Sequence, residues 1–125
     1  MEDHMKYMLL IYDDEKGWAK LSETQQQQAM GEYMQFTQQL QSAGQYVTSS
    51  QLHPTSAATC VRAHSSKRLV TDGPFAETRE QLLGYYIIDV NDLDVAIAIA
   101  ARIPGGPTGG VEIRPLVERP AQATA

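Results

Sequence analysis

A chain of 125 residues, 42% hydrophobic and 20% charged, has room for one domain with a real core and too little for two. Its net charge of −5 repels a phosphate backbone, and its ten Lys and Arg are scattered, with Lys67-Arg68 the densest cluster, so direct nucleic-acid binding is not expected. The lone Cys60 cannot close an internal disulfide, no export signal opens the chain, and the longest purely apolar run, Val95–Ala101, is far short of a bilayer, so a cytoplasmic protein with no membrane association is expected.

Met1-Glu2-Asp3-His4 reads as an extension and residues 119–125 as a frayed tail, which leaves a single domain over residues 5–118. Met5–Tyr12 reads as a strand with Tyr7, Leu9 and Ile11 on one face and Met8, Leu10 and Tyr12 on the other. Both faces are apolar, so both require cover. The acidic run Asp13-Asp14-Glu15-Lys16-Gly17 breaks it and leaves Trp18 in a loop.

Ser22-Glu23-Thr24-Gln25 fits a capping box, in which the Ser22 hydroxyl and the Gln25 amide each take a backbone N–H of the first turn. Beyond it Ala29, Tyr33, Phe36, Leu40 and Ala43 recur at helical spacing, with Met30, Met34 and Thr37 beside them, up to the stop at Gly44. The helix should run about 20 residues, roughly 30 Å, with its glutamines on a solvated face.

Tyr46–Leu52 reads as a second strand closed by His53-Pro54. Ala58–His64 and Arg68–Thr71 follow as a third and fourth, joined through Ser65-Ser66-Lys67. Tyr85–Val90 is a strongly β-prone fifth strand. Asn91 or Asp92 then caps a second helix reaching about Arg102, where Pro104-Gly105-Gly106-Pro107 stops it. That glycine-rich stretch lacks the lysine and helix start of a phosphate loop and reads as a connector. Val111–Val117 is the last strand, with Pro115 at an edge or a bulge.

This order predicts an α+β fold: ferredoxin-like βαββαβ with an extra hairpin strand. Such a sheet carries both helices on one face. A second copy, packed sheet against sheet, is the simplest cover for the other, so a homodimer is expected.

Residues 69–94 read Leu-Val-Thr-Asp-Gly-Pro-Phe-Ala-Glu-Thr-Arg-Glu-Gln-Leu-Leu-Gly-Tyr-Tyr-Ile-Ile-Asp-Val-Asn-Asp-Leu-Asp. With the opening Met5-Lys6-Tyr7-Met8-Leu9-Leu10-Ile11-Tyr12 and the closing Val111-Glu112-Ile113-Arg114-Pro115, the stretch resembles the YCII-related family, in the branch marked by an Asp-Gly-Pro-Phe motif. The resemblance implies a dimeric α+β barrel. It also implies a regulatory context, because some members of that branch lie beside or are fused to extracytoplasmic-function sigma factors. Another group of relatives resembles ring-modifying lyases with a His–Asp pair whose histidine sits on the first helix. Here no histidine and no further aspartate lie between Asp14 and Gly44, and Tyr33 stands near where that histidine aligns, so the dyad does not carry over.

Several residues are candidates for a site, each with a structural and a functional reading. Asp72 can order the Asp-Gly-Pro-Phe turn, with Gly73 supplying an unusual dihedral and Phe75 an anchor in the core, or act as a general base. On the structural reading Asp72→Ala should cost roughly 0.5–2 kcal/mol and Asp72→Asn almost nothing. Glu77 is a solvated or capping residue, or the second carboxylate of a pair with Asp72. His53, at a strand end, is an exposed turn residue or a proton shuttle. Tyr12, Asp13 and Trp18 gather where the first strand ends, and Trp18 either walls a small-molecule pocket or caps the barrel or dimer interface. Arg114 pairs with Glu112 on its own face or holds a ligand carboxylate. Cys60 reads as a small buried residue. The three separated histidines lack metal-ligand spacing, and neither a metal nor another cofactor is expected.

Two functions follow. The first is a small dimeric regulatory or small-molecule-binding module. The alternative is a cofactor-free lyase or isomerase acting on a small polar or aromatic acid, with His53 and Asp72 moving the proton and Arg114 holding the carboxylate.

Overall fold

The computed structural model describes residues 4–105 and 109–118. The proposed end segments 1–3 and 119–125 and the centre of the glycine-rich connector, residues 106–108, lie outside the described residues. In chain order the elements are β1 (Met5–Asp13), α1 (Glu15–Ala19), α2 (Glu23–Ser42), β2 (Tyr46–Gln51), a single 3-10 turn (Thr55–Ala57), β3 (Thr59–His64), β4 (Lys67–Asp72), β5 (Gln81–Val90), α3 (Leu93–Ala100) and β6 (Gly110–Pro115).

Four strands form one antiparallel sheet in the order β2-β5-β1-β6, and β3-β4 form a separate two-stranded hairpin. The connection from β1 through α2 to β2 skips over β5, and that from β5 through α3 to β6 skips over β1. These two interleaved crossovers define the ferredoxin-like arrangement, with the hairpin inserted between its second and third strands. The mixed α+β architecture is the expected one.

The local reasons are visible in the caps. The Ser22 hydroxyl accepts from Gln25 N at 3.1 Å, and the Gln25 side chain accepts from Ser22 N at 2.9 Å, so the capping box closes as the sequence implies. Asp92 caps α3 through Val95 N at 3.0 Å. Gly44, at φ +71°, ends α2 in the left-handed region. Pro115 closes β6, an edge strand, where its missing N–H costs no ladder bond in the sheet interior.

One face of the sheet and the two long helices make the core. Tyr7 and Leu9 of β1 and Tyr86, Ile88 and Val90 of β5 meet Phe36 and Leu40 of α2 and Ala96 and Ile99 of α3. The Phe36 and Tyr86 rings pack edge to face, with centroids 5.3 Å apart and an interplanar angle of 87°. Met8, Leu10 and Tyr12 alternate onto the opposite face and are half-buried, as are Tyr85 and Ile87.

The structure differs from the sequence reading in three places. The acidic run does not open a loop: Asp14 accepts from Lys16 N at 2.9 Å and starts α1, so Trp18 sits on a one-turn helix. β5 begins four residues earlier than Tyr85, at Gln81, across an irregularity in its pairing with β1. Phe75 does not anchor in the core. It is 63% exposed and lies under the Arg62 guanidinium, 4.3 Å from the ring centroid, because the hairpin that carries Arg62 stands apart from the main sheet.

Candidate functional site

A cleft of about 820 Å³ lies on the helix-bearing side of the sheet. It runs along one side of α2, where Met30, Tyr33, Met34, Thr37, Gln38 and Gln41 line it, while Phe36 and Leu40 of the same helix enter the core. Beneath them the edge strand β2 carries Ser49, Ser50 and Gln51, and β5 carries Gly84, so little side-chain bulk fills the space. Leu52, His53 and Pro54 form one rim, and Glu15 and Trp18 of α1 form another.

Hydrogen bonds hold these rims in place. The Glu15 carboxylate accepts from Thr55 N at 3.0 Å and from the Thr55 hydroxyl, and Glu15 N donates to the Gln81 side chain at 2.9 Å. Gln26 of α2 donates to Trp18 O at 3.1 Å. One glutamate therefore ties α1, the loop after β2 and the start of β5 together around the mouth. Inside, the Thr37 hydroxyl donates to Tyr33 O at 2.9 Å, which leaves its oxygen to accept from the Tyr86 phenol at 2.8 Å. Burial pushes the Tyr33 phenol above its ordinary value, with further upward contributions from Tyr86 and from the carboxylates of Asp13 and Glu32. Tyr33 thus remains a neutral O–H donor near neutral pH.

Of the residues singled out in the sequence, His53 and Trp18 line this cleft. Asp13 is half-buried at the end of β1, and its carboxylate accepts from Asp14 N at 2.7 Å. Tyr12 lines a separate shallow depression with Thr78, Arg79, Glu80 and Glu112. Arg114 is exposed on β6, 3.4 Å from Glu112 two residues away on the same strand, which is the structural reading of that residue. Asp72, at the end of β4, and Glu77 are exposed, and neither lines the cleft. Of His53, Asp72 and Arg114, only His53 lines this cleft. Sequence reasoning did not assign Glu15, Tyr33, Thr37 or Gly84 to a site. The one available signal was Gly84, an isolated glycine in an apolar β-prone run, which marks close backbone approach.

The Asp-Gly-Pro-Phe turn is held differently from the expectation. Gly73 has φ +88°, as its expected role requires. Its N–H donates to Ala58 O at 2.7 Å, and its carbonyl accepts from the buried Cys60 thiol at 2.9 Å. The backbone of β3 and its flank pin the turn, and among the described residues no hydrogen bond reaches the Asp72 side chain. Asp72→Ala and Asp72→Asn should therefore both stay within about 0.5 kcal/mol of the parent, the range of exposed positions free of special contacts. Paired thermal melts check this, and a loss above 1 kcal/mol for Ala alone would restore the capping role.

Among the described residues no three His, Cys, Asp or Glu side chains gather as a metal site requires, and no helix is long and apolar enough to cross a membrane.

A ferredoxin-like α+β domain with an interposed hairpin and an aromatic-walled cleft under its first long helix is the class of protein this geometry defines. Comparison with known proteins places it further. The profile of the YCII-related domain matches residues 5–119, and the chain belongs to that family. It is 37% identical over 114 residues to an uncharacterised protein of Rhizobium meliloti (strain 1021), an alignment covering 90% of this chain and 92% of the relative.

Proposed function

We propose that this protein is a cytoplasmic homodimer that binds a small molecule in the cleft beneath α2, as a regulatory or sensing module. The cleft carries the reading: about 820 Å³ is the size of a drug-like ligand site, and its walls are mostly apolar and aromatic with a few placed polar groups. The alternative, a cofactor-free lyase or isomerase, draws less support. It needs His53, Asp72 and Arg114 within hydrogen-bond reach of one substrate, and only His53 borders the cleft. The implied kinship with sigma-factor-associated relatives favours a regulatory setting.

Trp18 is the single tryptophan and sits in the cleft, so its fluorescence reports occupancy directly. A thermal-shift screen of small neutral, cationic and anionic aromatics should give hits that also change Trp18 emission. Hits that raise the melting temperature and leave Trp18 silent would place binding elsewhere and sink the proposal.

The dimer rests on two surfaces. Met8, Leu10, Tyr85 and Ile87 present an apolar face opposite the helices. The β3–β4 hairpin leaves Val61, Leu69 and Val70 each more than half exposed, and a two-stranded hairpin alone is marginal in water. The hairpin also carries Arg62, Lys67 and Arg68 against one acid, Asp72, on a chain of net charge −5, which suits contact with an acidic copy of itself. Sedimentation at micromolar concentration should show a dimer. A monodisperse monomer refutes the sheet-to-sheet arrangement.

A further inference from the structure

Resting on that reading of the cleft, we propose that its ligand is a cation: a quaternary or protonated amine carried on an apolar or aromatic body. The lining supplies the argument. Trp18, Tyr33 and Tyr86 contribute aromatic side chains, Met30 and Met34 polarisable ones, and Glu15 a carboxylate, while among the described lining residues there is no lysine or arginine and His53 is the one basic side chain. Rings of this kind attract cations through their negative faces, most strongly where water is partly excluded.

The field around the cleft has the same sign. Burial is the main cause that raises the Tyr33 phenol, and the smaller upward contributions of Asp13 and Glu32 place two further carboxylates near enough to act on this wall of the cleft. The Glu15 charge is fixed at the mouth by its two bonds from Thr55, and each of its oxygens retains a second lone-pair direction. An anionic ligand would meet the Glu15 carboxylate, with Asp13 and Glu32 beyond the lining, and no lysine or arginine among the described lining residues, a combination that desolvation makes worse. The small polar or aromatic acid expected from the sequence is therefore the wrong charge for this cleft. Arg114, its intended partner, is occupied with Glu112 on β6.

The experiment titrates the full chain with benzyltrimethylammonium and with 4-tert-butylbenzoate, reading Trp18 fluorescence and calorimetric heat. The cation should bind at least tenfold tighter than the carboxylate, and its affinity should fall as salt rises from 20 to 500 mM. Glu15→Gln, which preserves the shape of the latch, should weaken the cation several-fold and leave the carboxylate unchanged or improved. Trp18→Leu, followed by calorimetry, should weaken the cation about tenfold, and it decides the matter if Glu15→Gln lowers the melting temperature. A carboxylate that binds as tightly as the cation overturns the charge assignment and leaves the cleft intact as a ligand site. Binding by neither probe at millimolar concentration counts against the cleft itself.

Discussion

Truncating Ile88 to alanine is expected to cost about 2–5 kcal/mol, the range for removing a large aliphatic side chain from a site that cannot collapse. Ile88 is fully buried on β5, one of the two strands with a neighbour on each side, with helices above it. It stands opposite Tyr7 of β1 and Tyr46 of β2, and both rings are held by their own strands. Both rings are already packed in or against the core, so filling the vacated volume would open a gap where they now sit. A small domain has only about 5–15 kcal/mol in total, so the variant should lose a large part of its stability. Urea denaturation should show a lower midpoint with an unchanged slope. Ile88→Val should cost about 0.5–1.5 kcal/mol, and an Ala variant within that smaller range would mean the core is not packed as described. Ile87, one residue earlier, faces away from the helices, and in the proposed dimer Ile87→Ala should weaken self-association in sedimentation where Ile88→Ala leaves the dimer contact itself in place.

The contrast between Ile87 and Ile88 shows which features a sequence makes legible. Alternation along β1 and the helical ladder of Phe36 and Leu40 are local patterns, and Tyr7 and Leu9, grouped on one face of the strand, enter the core together with that ladder. The Ser22 and Asp92 caps are equally local, since acceptor and donor lie within three residues. α1 escaped because five residues are too few for a helical period, and its signal was the Asp14 cap inside a run read as a break. Phe75 misled because an aromatic after a glycine-proline turn reads as an anchor, and only the hairpin's separation from the main sheet leaves it exposed under Arg62. The cleft was not legible for a different reason. Its walls come from residues spread between Ile11 and Tyr86, with no motif spacing to unite them. Asp72 and Arg114 look like chemistry in sequence because charged residues in apolar or glycine-rich company stand out, yet the fold places them on a hairpin end and an outer strand.

Gly84 offers the sharpest test of how the cleft floor is built. A Cβ at this position would lie 2.7 Å from Ser50 O and 3.3 Å from Gln51 Cα, both backbone atoms of the adjacent strand. A flexible side chain could turn away from such a contact, but a paired strand must shift bodily. Gly84→Ala should therefore destabilise the protein by about 1–3 kcal/mol, as other insertions into closely packed sites do. It should also weaken any ligand of the cleft, since Ser50, Gln51 and Gly84 all line it and β2 would move outward. Gly31 is the control. It lies within α2 with nothing inside 4 Å of its added Cβ, so the same change should stabilise by up to about 1 kcal/mol through helix propensity. Opposite signs for one chemical substitution separate close backbone approach from glycine's intrinsic cost in helix or strand. If Gly84→Ala instead proves neutral and ligand binding is kept, β2 is a pliable edge and the cleft can widen without loss.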